Sequence, residues 1–219
     1  MGKYLIIAAG KATRWNNYLG VSKHLIEIDG EPLIHRTVRQ LNERCILPTI
    51  VGDYDIPFSA KYIPNLNEDN EDADKFLSSM DLWNEDGRTV VLYGDVYFTD
   101  EAMDTITEYK SKDWTLFARP YESKFTGCKW GECFAQSFYP KDIEKHYKAL
   151  LVIRDQFKLG NIKRCGGWEH YRQMEGFNLT EHLVGKRLYE IDDFTEDFDS
   201  PEDYNNFNDR RNNIKQRKD

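Results

Sequence analysis

The run LIIAAGKATR at residues 5–14 determines how the rest of the sequence is interpreted. Its apolar beginning, residues 4–9, is typical of a strand buried on both faces of a parallel sheet. Its small residues then allow backbone amides to approach phosphate oxygens, because Gly and Ala carry little or no side chain. Two cations, Arg14 and Lys23, follow closely. The run predicts a central strand that ends in a phosphate-handling loop; an ordinary strand with a surface turn is the alternative.

The composition restricts the class of protein. The chain has 219 residues, which suits one domain or one domain with an inserted lobe. Its 30 Lys and Arg residues are outnumbered by 38 Asp and Glu residues, which gives a net charge of -8. This balance argues against a surface that coats nucleic acid without sequence preference.

The sequence shows no sign of a membrane segment. No apolar run approaches the ~20 residues of a membrane span, and no signal peptide precedes the first strand. The irregular spacing of Cys45, Cys128, Cys133 and Cys165 suits neither a zinc site nor a disulfide framework, so free thiols are expected. We therefore expect a soluble, cytoplasmic protein with no membrane partner.

Strand and helix patterns alternate along the chain. Strands are predicted at residues 4–9, 45–51, 88–93, 114–118, 130–135 and 187–191, and helices at residues 31–41, 73–83, 100–109, 141–157 and 178–184. This alternation predicts an α/β fold, a mostly parallel central sheet with helices on its faces.

Asp95 and an acidic run near the C-terminus are the candidate metal ligands. Asp95 follows a buried strand directly, at the sheet edge where open α/β sheets bind their ligands. A carboxylate there is placed to hold Mg²⁺ against phosphate oxygens, although it also suits a turn or a helix cap. Residues 190–204 supply further carboxylates, and Asp199 and, more weakly, Asp197 are the candidates for the same metal; a merely solvated run is the alternative.

Other side chains are candidates for substrate contacts. Arg14 and Lys23 are candidate catalytic residues, because they offset charge that develops on phosphate oxygens; exposed solubility residues are the alternative. Ser78 and Ser79, on a predicted helix, are candidates for contact with a base. Glu132 is a candidate for binding an acceptor hydroxyl or acting as its base, and a plain strand carboxylate is the alternative. The candidate nucleotide-binding residues are Ala8, Ala9, Gly10, Lys11, Ala12, Thr13, Arg14, Lys23, Ser78 and Ser79.

Three ordered motifs resemble the nucleotidyltransferases that share the glycosyltransferase-A fold. The family pattern is roughly A-A-G-x-G-T-R, then P-K-x-L and G-x-P-L. The residues that match it are Ala8, Ala9, Gly10, Thr13, Arg14, Lys23, Leu25, Gly30, Pro32 and Leu33. Residues 92–96 resemble the family's G-D segment, and residues 199–204 resemble its late D-[ST]-P-E-D segment.

The resemblance implies a fold and a metal site. The fold is a three-layer α/β sandwich with a mostly parallel mixed central sheet, of the nucleotide-diphospho-sugar transferase type. Asp95 and Asp199 are the implied ligands of Mg²⁺ or Mn²⁺. The expected organisation is a single nucleotide-binding transferase domain over residues 1–209, whose middle region, about 119–176, forms an acceptor-side lobe. Residues 210–219 are expected to be a flexible basic tail.

Three functions agree with these features. The first is a Mg²⁺-dependent nucleotidyltransferase that joins a nucleoside triphosphate to a phosphorylated sugar or alcohol. The second is a glycosyltransferase with a nucleotide-diphosphate sugar donor, favoured because Ala12 replaces the second loop glycine and Ser22 the usual proline. Its acceptor is a small molecule, a protein or a modified nucleic-acid base. The third is a non-catalytic nucleotide-binding module. Nucleic acid is a minority partner, suggested by the basic tail.

Overall fold

The computed structural model describes residues 2–9, 12–52, 58–63 and 72–215. The strands are β1 (Lys3–Ile7), β2 (Glu27–Ile28), β3 (Glu31–Pro32), β4 (Thr49–Val51), β5 (Lys61–Ile63), β6 (Thr89–Tyr93), β7 (Val96–Tyr97), β8 (Thr115–Arg119), β9 (Glu132–Phe138), β10 (Leu188–Glu190) and β11 (Glu196–Asp197). The helices are α1 (Leu33–Glu43), α2 (Asp72–Ser78), α3 (Asp100–Glu108), α4 (Pro140–Lys158), α5 (Gly167–Glu175) and α6 (Pro201–Lys215). Within these residues, no helix combines the length and the apolar composition that crossing a membrane requires.

The central sheet has seven strands in the order β10-β8-β9-β6-β1-β4-β5. β9 pairs antiparallel with both β6 and β8, and the other pairs in this sheet are parallel. The carboxyl ends of the parallel strands therefore meet at one edge, and the first residue of β9 lies at that same edge. The predicted mixed, mostly parallel sheet is confirmed.

Alternation along β1 explains the three layers. Tyr4 and Ile6 pack with residues of α1 and α3 on one face of the sheet. Leu5 and Ile7 pack with residues of α2, α4 and α5 on the other face. Because side chains alternate along a strand, a continuous apolar run is what a strand covered on both faces requires. The predicted sandwich follows from this single run.

Helix α6 packs against a third apolar cluster, so the expected tail boundary at residue 210 is corrected. Phe207 is fully buried with Trp15, Tyr97 and Phe198. The helix continues to Lys215. Arg211 forms an ion pair with Asp29, and its guanidinium lies 5.1 Å from the centroid of the Tyr97 ring. Residues 216–219 lie outside the described part of the chain.

Three local predictions differ from the structure. The predicted helix at 178–184 is absent, because the side chain of Asn178 accepts hydrogen bonds from the amide and the hydroxyl of Thr180 and closes a local turn. Helix α5 was not predicted, although His170, Tyr171 and Met174 are buried at helical spacing. The short strand β5 is likewise not among the predicted strands.

A chain of buried polar side chains crosses the core beside the sheet. Gln136 Nε2 donates to the Tyr93 hydroxyl at 2.9 Å and contacts His170 Nδ1 at 3.2 Å. His170 Nε2 and His146 Nδ1 lie 3.0 Å apart. Burial lowers the pKa of His170 to about 3 and holds the pKa of His146 well below its ordinary value. Both imidazoles are therefore neutral in the folded protein.

This buried histidine pair predicts a loss of stability in mild acid. Below pH about 6.5 the unfolded state binds a proton at each histidine and the folded state does not, so the free energy of unfolding falls as the pH decreases. Between pH 7 and pH 5 each histidine accounts for about 2 kcal/mol of this loss. His146→Gln should reduce the pH-dependent difference by about that amount, as measured by urea denaturation at both pH values.

The matched control is Val152→Ala, which changes an exposed residue of α4 that does not titrate and should keep the full difference. An unchanged difference in His146→Gln would show that His146 does not contribute to the acid sensitivity.

Candidate functional site

A cavity of about 560 Å³ opens at the carboxyl edge of the sheet. One wall, here called the loop wall, consists of Ala9, Ala12, Thr13, Arg14 and Lys23. The opposite wall, called the α5 wall, consists of Glu132, Cys133, Gly167, Trp168, Glu169 and Arg172. Asp95, Asp197 and Asp199 also line the cavity. Open α/β sheets bind their ligands at this edge, so the cavity is the candidate site.

Gly94 brings Asp95 to the cavity. A Cβ at Gly94 would lie 2.7 Å from the Ala8 Cβ and 2.9 Å from the Ile7 carbonyl oxygen, so only glycine allows the chain to pass this close to β1. The Gly94 amide donates to that carbonyl at 2.9 Å. Asp95 is therefore held directly over the end of β1.

A two-stranded ribbon brings the other two carboxylates to Asp95. β11 pairs antiparallel with β7, which places Asp197 opposite Val96. The Phe198 amide then donates to the Asp95 carbonyl oxygen at 3.1 Å. One carboxylate oxygen from each of Asp95, Asp197 and Asp199 lies within 4.8 Å of the others. The structure thus brings together the three residues predicted as metal ligands.

Lys23 lies between these acids. It is only 6% exposed; its Nζ forms an ion pair with Asp95 and lies 3.1 Å from Asp199 Oδ1. Burial lowers the pKa of Lys23, but the charges of Asp95, Asp197 and Asp199 outweigh burial and raise it above its ordinary value. Arg14, which is much more exposed, also forms an ion pair with Asp199. Both predicted cations therefore contact the carboxylate cluster.

The acids differ in their electrostatic environment. Burial raises the pKa of Asp95. Lys23 and His24 lower this pKa by more than burial raises it, so the pKa of Asp95 lies below its ordinary value. Burial and the charges of Asp95 and Asp199 raise the pKa of Asp197. Asp197 Oδ1 is buried and accepts no hydrogen bond within the described residues. A buried oxygen without a donor beside two other carboxylates is a suitable ligand set for a hard cation such as Mg²⁺ or Mn²⁺.

Several residues of the segment 12–19, which begins in the loop wall, have a left-handed backbone. Ala12, the residue that replaces the family's second glycine, has a φ of 49°, and Asn16, Asn17 and Leu19 also have positive φ. The Ala12 carbonyl accepts hydrogen bonds from the amides of Trp15 and Asn16 at 3.0 and 3.1 Å, which fixes the conformation of this segment. Left-handed backbone at non-glycine residues is strained and is concentrated at functional sites.

The remaining residues that were predicted to bind the nucleotide do not lie together. Ala8 is buried behind the loop, and Gly10 and Lys11 lie outside the described residues. Ser79 is fully buried; its hydroxyl donates to the Phe76 carbonyl at 2.7 Å and accepts from Trp83 Nε1 at 3.0 Å. The Ser78 hydroxyl donates to the Lys75 carbonyl at 2.7 Å.

Neither serine lines the cavity, and this corrects their expected contact with a base. Lys75 and Phe76, which precede them on α2, do line it. Both serine hydroxyls donate hydrogen bonds to nearby backbone carbonyls, as serines within helices commonly do.

Glu132 reaches the cavity because β9 is antiparallel. It is the first residue of β9 and lies opposite Arg119, the last residue of β8. Burial and the charges of Asp199 and Glu196 raise its pKa to about 8. A carboxyl group with this pKa is largely protonated at neutral pH and can donate a hydrogen bond.

A buried ion pair supports the strand that carries Asp197. Arg119 and Glu196 are 1% and 2% exposed and lie 2.9 Å apart. Arg119 also donates to the Thr195 carbonyl at 3.2 Å, and Glu196 accepts from the Thr126 hydroxyl. The pair connects the end of β8 and the 120–131 loop to the strand that carries Asp197. The residues of α5 and this pair were not predicted from the sequence.

The mixed sheet with helices on both faces is the nucleotide-diphospho-sugar transferase-like fold, which the solved structures described next also have. Comparison with solved structures supports this fold. The chain resembles the CTP:phosphocholine cytidylyltransferase from Streptococcus pneumoniae, with 13% identity, a TM-score of 0.57 and coverage of 95% of this chain and 98% of that one.

Two further structures give the same result. One is a putative glucose-1-phosphate thymidylyltransferase from Bacillus anthracis, with 15% identity, a TM-score of 0.61 and coverage of 95% and 94%. The other is the inositol-1-phosphate CTP transferase from T. maritima, with 12% identity, a TM-score of 0.53 and coverage of 94% of both chains. Comparisons of the sequence with protein-family models and with curated proteins gave no match.

The position of Lys23 predicts how the carboxylate cluster responds to a divalent cation. In Lys23→Met the half-buried acids lose their nearly buried counter-charge, so the free energy of unfolding should fall by about 2 kcal/mol at pH 7. Mn²⁺ or Mg²⁺ should then raise the melting temperature more in this variant than in the wild type, because the metal no longer competes with the ammonium group. Thermal unfolding with and without the metal measures this difference.

Lys148→Met is the control, because it removes an exposed lysine that pairs with Glu144 on α4. It should change neither stability nor the metal response. If Lys23→Met responded to metal no more than the wild type, Lys23 would not compete with a cation at these carboxylates.

Proposed function

We propose that this chain is a divalent-metal-dependent nucleotidyltransferase that joins a nucleoside triphosphate to a phosphorylated sugar or alcohol. The supporting observation is the cavity at the carboxyl edge, where a small-residue loop and two cations face three carboxylates that lie within 4.8 Å of one another. Cations and carboxylates in one cavity suit a metal-bound phosphate chain better than either set alone.

The proposed step is a displacement at the α-phosphorus. A phosphate oxygen of the acceptor forms a bond to the α-phosphorus, and the bond from that phosphorus to the bridging β-oxygen breaks. The electron pair leaves with pyrophosphate. Because the attacking oxygen is already anionic, no protein base is needed, and catalysis is positioning and charge stabilisation.

The chain's residues have separate tasks in this step. Arg14 and Lys23 hold phosphate oxygens, and the small residues of the loop wall leave room for the triphosphate. Asp95, Asp197 and Asp199 are the proposed ligands of Mg²⁺ or Mn²⁺, which would supply positive charge against the phosphate oxygens. Glu132, on the opposite wall, is placed to bind a hydroxyl of the acceptor. A cavity of about 560 Å³ suits a small-molecule acceptor.

Asp95→Asn tests the proposed metal-dependent step. The substitution keeps the size of the side chain and removes the negative charge, so it should reduce pyrophosphate release by at least about a hundredfold and leave the fold intact. The assay uses pools of nucleoside triphosphates and of phosphorylated sugars and alcohols, with circular dichroism to verify folding.

Asp81→Asn, at an exposed acid outside the cavity, should retain full activity. Metal-dependent activity in Asp95→Asn equal to that of the wild type would contradict the assignment of Asp95.

A glycosyltransferase with a nucleotide-diphosphate sugar donor is the second candidate. The methyl group of Ala12 in the left-handed loop favours it, because a diphosphate demands less of the backbone cradle than a triphosphate. Thermal stabilisation in the presence of Mn²⁺ distinguishes the two candidates. Stabilisation by triphosphates alone supports the nucleotidyltransferase, stabilisation by nucleotide sugars alone supports the glycosyltransferase, and no response to either supports a non-catalytic module.

Two minor expectations are also part of the proposal. None of the four cysteines forms a disulfide, which suits a reducing compartment such as the cytoplasm. Nucleic acid stays a minority partner in this proposal, because Arg211 pairs with Asp29 and the guanidinium of Arg210 lies against Gly127, so these two basic residues already have contacts within the chain.

A further inference from the structure

A row of three aromatic rings leads from the cavity to the protein surface. It begins at Trp168 on the α5 wall, continues through His182 and ends at Tyr121. The ring centroids of Trp168 and His182 lie 4.8 Å apart, and those of His182 and Tyr121 lie 5.8 Å apart. Tyr121 is 60% exposed. We call these three residues the aromatic row.

Hydrogen bonds fix the first two rings of the row. Trp168 Nε1 donates to the Gly131 carbonyl at 2.9 Å. His182 Nε2 lies 2.6 Å from the Pro120 carbonyl oxygen, and its Nδ1 lies 3.4 Å from an Arg172 nitrogen. The ring orientations are therefore set before any ligand arrives, so little side-chain entropy remains to be lost on binding.

The loop that carries Tyr121 is also fixed. The Ser123 amide donates to the Cys128 carbonyl at 2.8 Å, and the Ser123 hydroxyl accepts from the amide of Thr126 at 2.9 Å. Glu122 and Lys129 form an ion pair across the loop at 2.6 Å. The exposed ring of Tyr121 is therefore carried by a loop whose backbone is fixed by these contacts.

The charged side chains that contact His182 or face each other across the Tyr121 loop form two ion pairs. Glu122 pairs with Lys129, and Arg172 pairs with Glu169 at 3.1 Å. The row therefore offers rings and hydrogen-bonding edges without excess charge, and the net charge of -8 disfavours a polyanion. A ligand with an uncharged ring that has an apolar face and polar edges fits this surface.

We propose that the acceptor is a sugar phosphate with a second, uncharged sugar ring, and that the aromatic row binds this outer ring. This inference rests on the proposed function, because it takes the α5 wall as the acceptor side. The supporting observation is that the aromatic row continues the cavity, because its first residue, Trp168, lines the cavity. A molecule whose phosphate reaches the carboxylates can therefore extend along the row while it stays in contact with the protein.

The experiment compares one-ring with two-ring acceptors. Glucose 1-phosphate and galactose 1-phosphate are assayed beside maltose, cellobiose and lactose 1-phosphates. At least one disaccharide phosphate should exceed its monosaccharide in kcat/KM by up to about tenfold, as expected for one aromatic contact. Tyr121→Ala should abolish this advantage without changing the rate with the one-ring acceptor, and Tyr121→Phe should keep it. Tyr147→Ala, at an exposed tyrosine on α4, is the matched control.

A binding measurement separates this inference from the proposed reaction. Saturation-transfer NMR reports which sugar ring touches the protein, whether or not transfer occurs. If the outer ring is saturated with the wild type but not with Tyr121→Ala, the result supports binding of that ring to the aromatic row, even when no acceptor is turned over. Equal use of one-ring and two-ring acceptors, or no saturation of any outer ring, overturns the inference. A dimer that Tyr121→Ala dissociates also overturns it, because the row would then be an interface between copies.

Discussion

Repulsion between converging carboxylates is the constraint that the rest of the site satisfies. Two unit charges about 5 Å apart interact with about 3 kcal/mol at an effective dielectric constant of about 20. Three such acids at one sheet edge would separate unless a cation lay among them. Lys23 supplies that charge from a nearly buried position, which explains the elevated pKa of its ammonium group and the lowered pKa of Asp95. The same arrangement suits a site that exchanges one cation for another.

The backbone beneath the acids is held by a second, fully buried pair. Arg119 and Glu196 form only part of their bonds with each other. Arg119 also donates to the carbonyls of Thr195 and Tyr121, and Glu196 also accepts from the Thr126 hydroxyl and the Asp197 amide. A buried pair of this kind contributes little net stability relative to apolar residues, but loss of one partner leaves a buried charge. Its structural effect is to keep the segment with Asp197 and the loop with Tyr121 in one fixed relationship.

The sequence predicted the fold and one wall of the site better than the other wall. The first strand could be predicted because both its faces are buried, and Asp95 because a carboxylate directly after a buried strand lies at the sheet edge where ligands bind. Most of the α5 wall could not, since four of its residues come from a helix whose pattern resembles that of an ordinary surface helix. Glu132 was a candidate by type, but only the antiparallel direction of β9 places it at the cavity, and strand direction is set by long-range pairing.

Ser78 and Ser79 show the opposite error. Their residue type suited contact with a base, but each hydroxyl bonds to the backbone of its own helix segment, which residue type alone does not reveal. The helix expected at 178–184 failed similarly, because Asn178 can start a helix or close a turn and the choice depends on local geometry.

The position of β9 in the sheet affects how the protein folds during its synthesis on the ribosome. Strands β5, β4, β1 and β6 all precede residue 94, and β9 alone joins them to β8 and β10. Until residues 132–138 have emerged, the nascent chain carries β6 as an open, largely apolar edge, for a few seconds at ordinary synthesis rates. The protein should therefore depend on chaperones during this interval more than its finished surface suggests.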